Sequence, residues 1–158
     1  MKTILSILLL LSMFMLTTLT TPKAEALSGV GGSTFSAEYV YDFSIHGGAN
    51  GAISLVNPAN KLPLGGYVLS GEYVVLTALN SSNGATVALG DATDTDHYLA
   101  ATAYGDSAFT ADTVKVIATG VPQIASTTNI RSPVLLINSG TLTAGKVKFI
   151  LHGYMPKQ

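Results

Sequence analysis

The chain contains no cysteine and no tryptophan. Without cysteine there is no disulfide framework, no thiolate for a structural zinc site and no acceptor for a bacterial lipid anchor. Charge is scarce as well. Asp, Glu, Lys and Arg make up 11% of the residues, against about 25% in ordinary globular proteins. The few basic residues form no patch, which argues against nucleic acid as a partner. Only three histidines occur, His46, His97 and His152, with no His-Glu-x-x-His spacing. They read as isolated surface or turn residues, with His46 and His152 near strand ends where they would meet across a sheet. No Gly-x-Ser-x-Gly turn is present to carry a serine nucleophile. Glu38 and Glu72 fall at strand positions and read as solvated acids rather than a glycosidase pair.

What is present begins with an export signal. Lys2 gives a positive start, and Ile4 to Leu16 is apolar except for Ser6 and Ser12. Ala24-Glu25-Ala26 supplies the small-x-small site of signal peptidase. Threonines from Thr17 and a proline at Pro22 cut the apolar run short of the ~20 residues a spanning helix needs. Residues 1–26 are therefore expected to be a cleaved signal peptide, leaving a secreted product, extracellular or periplasmic, with no membrane span. Residues 27–36 are Gly/Ser-rich and predict a flexible leader. Residues 37–158 are expected to form one domain.

Alternation of apolar and polar residues dominates that domain. Tyr39 to His46 predicts a strand with Tyr39, Tyr41, Phe43 and Ile45 on one face. Asn50-Gly51 and Asn83-Gly84 are the strongest short hairpin signals, so Ala52 to Val56 and Ala85 to Gly90 are expected to pair back on the strands before them. Tyr67 to Leu79 reads as a buried central strand with a bulge or bend at Gly71. His97 to Tyr104 reads as a short helix or turn. Thr113 to Ala118 predicts a strand with Val114 and Val116 inward. Ser132 to Asn138 and Lys146 to Tyr154 predict a last hairpin across Ser139-Gly140, with Val147, Phe149 and Leu151 inside. Seven to nine short strands and no convincing amphipathic helix predict an all-β fold, an antiparallel β-sandwich or jelly roll.

Two groups carry candidate chemistry. Asp91, Asp94 and Asp96 lie within six residues, flanked by threonine hydroxyls, and offer the oxygen ligands calcium prefers. The same residues serve equally as turn and cap formers, and no cofactor is otherwise implied. Tyr67, Tyr73 and Tyr104 stand near expected loops, and a tyrosine offers a sugar both an apolar face and a hydroxyl.

Segments Tyr41 to Leu55, Ala85 to Gly90, Leu99 to Ala103 and Leu142 to Val147 together resemble small β-sandwich structural proteins of tailed-phage virions, of the head or tail decoration or fibre-associated type. The resemblance covers about Tyr41 to Tyr154 and brings no catalytic residues. It implies a non-catalytic structural or adhesive subunit of a surface fibre or assembly, a homo-oligomer with a trimer as the candidate order, exported because of its signal peptide. The alternatives are a secreted module binding a surface glycan and, behind it, a hydrolase.

Overall fold

The computed structural model describes residues 32–105, 107–117, 123–124 and 132–157. The expected signal peptide lies outside the described residues. The elements in chain order are β1 (Ser33–Asp42), a one-turn helix α1 (Phe43–His46), β2 (Gly51–Ser54), β3 (Tyr67–Ser81), β4 (Thr86–Gly90) and β5 (Leu99–Ala103). A 3-10 turn (Ser107–Phe109) is followed by β6 (Val114–Ile117), β7 (Gln123–Ile124), β8 (Val134–Asn138) and β9 (Leu142–Met155). No described helix is long and apolar enough to cross a membrane.

The strands form two antiparallel sheets. Sheet A has the order β1-β9-β3-β6, with the two-residue β7 also paired to β3, and sheet B the order β2-β8-β4-β5. Apart from β7, the pairs run first with last, second with next-to-last, and so inward to β4 with β5. That is a long antiparallel ribbon rolled onto itself, the jelly-roll form of the β-sandwich. The expected all-β sandwich is the observed fold.

The turns expected to close hairpins are instead corners between the sheets. β1 lies in sheet A and β2 in sheet B; β3 in A and β4 in B; β8 in B and β9 in A. Asn50-Gly51, Asn83-Gly84 and Ser139-Gly140 reverse or bend the chain as their composition requires, but the strands they join do not pair. The corners brace one another. Asn83 Oδ1 accepts from the Thr141 amide at 2.8 Å, and the Leu142 amide donates to the Gly48 carbonyl at 2.8 Å. A side chain at Gly48 would collide with the Leu142 carbonyl, so close approach of two backbones fixes glycine there. Among the described strands, the one consecutive pair that is adjacent in a sheet is β4–β5, joined by the Asp91–Tyr98 segment.

Other local expectations are corrected in the same way. β1 starts at Ser33, inside the expected leader, because it pairs with β9 from Ser33↔Met155 onward and Phe35 packs against the core. It stops at Asp42 because that side chain accepts from the Ser44 amide at 2.9 Å and caps α1. Gly47, at φ 71°, ends the turn. Phe43 is consequently half-buried and Ile45 is exposed. Leu99–Ala103, read as helix or turn, is a strand because β4 offers it a partner. β3 is the central strand expected, with a register shift between Val68 and Ser70, beside Gly71 rather than at it.

The core between the sheets joins Tyr39, Tyr41, Tyr73, Phe109 and Phe149 to Val87, Leu89, Leu135, Ile137 and Leu151. Tyr73 stacks on Phe109 with centroids 5.3 Å apart and meets Phe149 at 6.0 Å. Burying each such side chain contributes roughly 1.5–3 kcal/mol against the entropy of ordering the chain. Val147, Phe149 and Leu151 face inward as the alternation of β9 predicts.

Candidate assembly surfaces

With one face of each sheet in the core, the period of two places the intervening residues on the outer faces. On sheet A, register sets Val40, Lys148, Val74 and Val114 in one row and Glu38, Ile150, Glu72 and Val116 in the next. Ion pairs cross the β1–β9 half: Lys146 Nζ lies 2.9 Å from Asp42 Oδ2, and Lys148 Nζ lies 3.8 Å from Glu38 Oε2. The Ser44 hydroxyl and amide, with Lys146, hold the Asp42 carboxyl down at about 2. The β3–β6 half carries Val74, Val114 and Val116 around one acid, Glu72. Val114 and Val116 are 60% and 75% exposed, so β6 presents outward the two valines expected to face the core, and Ile117 is the buried one.

A hollow of about 300 Å³ opens beside β1. Its apolar wall is Val40, Ile45 and Val56, and Asp42, His46 and Lys146 supply polar groups. Every large exposed hydrophobic among the described residues lies on β1, α1, β3, β6 or the segment after β2. By register the outward positions of sheet B carry Ala52, Leu136 and Ala88 in one row, Ser54 and Val134 in the next, and Thr86 with Asn138 on the other side.

The residues expected to carry chemistry are placed otherwise. Asp91 is buried, and its Oδ1 accepts from the amides of Thr93 (2.7 Å) and Asp94 (2.9 Å). Its carboxylate is spent on closing the β4–β5 hairpin. Hydrogen bonding between the Asp94 and Asp96 side chains holds Asp94 below the ordinary carboxylate value and pushes Asp96 above it. Among the described residues no group of three or more acidic or histidine side chains is gathered closely enough to hold a metal ion, and Asp91 takes the turn-forming role that the second reading of this segment gave. Tyr73 is 3% exposed and sits in the aromatic core, which removes it as a glycan contact. Tyr67 is half-buried on β3 of sheet A, while Tyr104 follows β5 of sheet B and packs against the core, so the three tyrosines share no surface. His46 and His152 do not meet. His46 lies beside Asp42, and His152 pairs with Ser36, six residues away along β1 or about 20 Å of strand.

The fold now permits comparison with known proteins. No family model matches the chain, and no curated protein matches it. Solved structures do. A chain of the cyanophage Pam1 capsid asymmetric unit superposes with a TM-score of 0.58 at 20% identity, over 81% of this chain and 89% of that one. A chain of the acidic stable capsid structure of Helicobacter pylori bacteriophage KHP30 gives a TM-score of 0.54 at 17% identity, over 78% and 89%. This chain has the fold of phage capsid chains. The match spans most of both partners, so it is the whole jelly roll that is shared and not one sheet. The virion-type sandwich expected from the turn and core segments is thereby found as to fold.

Sequence reasoning missed the outward valines of β6. The Val-x-Val spacing gives a period but no sign. The signal available was Lys115 between them on a four-residue strand, a residue common on exposed sheet edges.

Proposed function

We propose that this protein is a non-catalytic structural subunit of a virion-like, multi-copy assembly. The observation that carries the reading is the jelly roll shared over most of its length with chains of two phage capsids. The exposed valines of β6 and the hollow beside β1 support it, since exposed aliphatic clusters mark surfaces that other chains cover. The export signal read in residues 1–26 makes the product a secreted one, in the periplasm or the medium, and its assembly a surface structure, adhesive or fibre-like. Homo-oligomerisation, with a trimer as the first order to look for, fits the low charge of the chain.

Expression of the full chain in a secreting bacterial host tests both parts. The exported product is expected to begin at Leu27 by N-terminal sequencing, and to sediment as a multi-copy species. A product that stays strictly monomeric at high concentration overturns the assembly reading, and retention of residues 1–26 overturns the export reading.

A further inference from the structure

Sheet A ends in two edges that differ. At the β1 edge, Asn57 Nδ2 donates to the Glu38 carbonyl at 2.8 Å, and His46 Nδ1 stands 3.1 Å from the Asp42 amide nitrogen. Both side chains occupy main-chain groups that an added strand would need, a recognised way of blunting a sheet edge. Among the described residues β6, at the other end of the strand order, pairs on one side only, with β3. Among the described residues no side-chain hydrogen bond covers its main chain. Val114 and Val116 stand out from the outer face at 60% and 75% exposure. Lys115, on the opposite face, is exposed and has no ion pair among the described residues.

We propose that β6 is a docking edge for an extended strand of another chain, in which an acidic residue between two apolar ones faces Lys115 while the apolar pair covers Val114 and Val116. The proposal rests on the reading of this chain as an assembly subunit. Strand addition supplies main-chain hydrogen bonds, and the alternating side chains supply selectivity. Cross-strand pairing then sets opposite charges against each other on one face and apolar groups on the other.

The chain's own strands do not fit this description. Pairing β6 with β6 of a second copy, in the register that matches both valines, sets Lys115 against Lys115. β1 has an acid, Glu38, between apolar Ala37 and Tyr39, but those neighbours are buried in the core. Its Glu38 carbonyl is taken by Asn57, and its carboxylate faces Lys148. The edge strands of sheet B, Gly51–Ser54 and Leu99–Ala103, contain no acid. Among the described residues no strand of this chain offers an acid between two free apolar neighbours, so the proposed occupant is a strand of a different chain.

The test is an amide NMR titration of the purified protein with two short blocked peptides, Thr-Val-Glu-Val-Thr and Thr-Val-Lys-Val-Thr. The Glu peptide is expected to shift the amides of residues 114–117 saturably and to bind about tenfold more tightly than the Lys peptide. The exposed substitution Lys115→Glu, checked for an unchanged melting curve, is expected to reverse that order. No shift at residues 114–117, equal binding of the two peptides, or an order that Lys115→Glu leaves unchanged each overturns the proposal. Shifts at the same amides on diluting the protein alone overturn it too, because a second copy then occupies the edge. Sedimentation of the secreted product tests the assembly reading separately, so the failure of one is distinguishable from the failure of the other.

Discussion

Sheets A and B close on the same core but are built from different material. Sheet A uses strands of 10, 15 and 14 residues in β1, β3 and β9, and its inner face supplies Tyr39, Tyr41, Tyr73 and Phe149. Sheet B uses strands of four or five residues and supplies aliphatic Val87, Leu89, Leu135 and Ile137. The outer faces differ too: ion pairs and strongly exposed valines on A, and on B a partly buried Leu136 among Ala52, Ser54, Thr86 and Asn138, with no large hydrophobic strongly exposed among the described residues. The long aromatic sheet is the frame on which the short one is laid, and its outer face carries the exposed Val40, Leu69, Leu76, Val114 and Val116. The large aromatic side chains of the core are thus concentrated in one half of the sandwich.

The sharpest way to break this comparison is to empty the frame. Phe149 is fully buried in the middle of β9, between Tyr39 and Tyr73 in the register. Phe149→Ala is expected to cost about 3–5 kcal/mol in a denaturant melt, and the comparable truncation Leu135→Ala in sheet B about 2–5 kcal/mol, toward the lower end. A larger loss at Leu135 than at Phe149 contradicts the reading of sheet A as the frame.

Alkaline pH attacks the buried tyrosines, three of them in sheet A and a fourth, Tyr98, leading into β5 of sheet B, whose hydroxyl burial also raises. Burial pushes Tyr39 and Tyr41 up to about 12, and raises Tyr73 as well. A raised folded-state value means that the folded form holds the proton more tightly than the unfolded one. The contribution is complete below the unfolded value near 10 and is lost as pH climbs from 10 towards 12. Stability measured across that window should fall steadily, and Tyr73→Phe should make the fall shallower. A flat profile would show these tyrosines to be ionising in the folded state.

The seam between the sheets is tested at a corner. Gly48→Ala sets a methyl group against the Leu142 carbonyl and is expected to cost about 1–3 kcal/mol, the usual cost of overpacking. A neutral result in thermal melts would show that the corner gives way freely and that the sheets are not braced there.

Smaller effects are expected at the surface. Asp42 is held at about 2 by Ser44 and Lys146, so its contribution is present above the ordinary carboxylate value and is lost as pH falls towards 2. Asp42→Asn should flatten the acid limb of a stability–pH profile, modestly because the group meets solvent. Excess chelator should leave the melting curve unchanged, since Asp91 is already committed to two backbone amides. A drop in melting temperature reversed by calcium would restore the ion site at Asp91, Asp94 and Asp96.

Much of this protein is written in residue order. The alternation in β9 assigns Val147, Phe149 and Leu151 to the core, and the run from Tyr67 to Leu79 marks the central strand, because a pleated chain throws successive side chains to opposite faces whatever surrounds it. Asn50-Gly51, Asn83-Gly84 and Ser139-Gly140 likewise mark changes of direction through local conformational preference. Three things were settled only by the tertiary structure. Which strands pair across a turn depends on where the rest of the chain lies, so each expected hairpin became a corner. Which face of a short edge strand meets the core depends on its register against β3, so Val114 and Val116 turned outward. Whether an aspartate binds an ion or a backbone amide depends on which donors the folded loop brings to it, and for Asp91 these were the amides of Thr93 and Asp94.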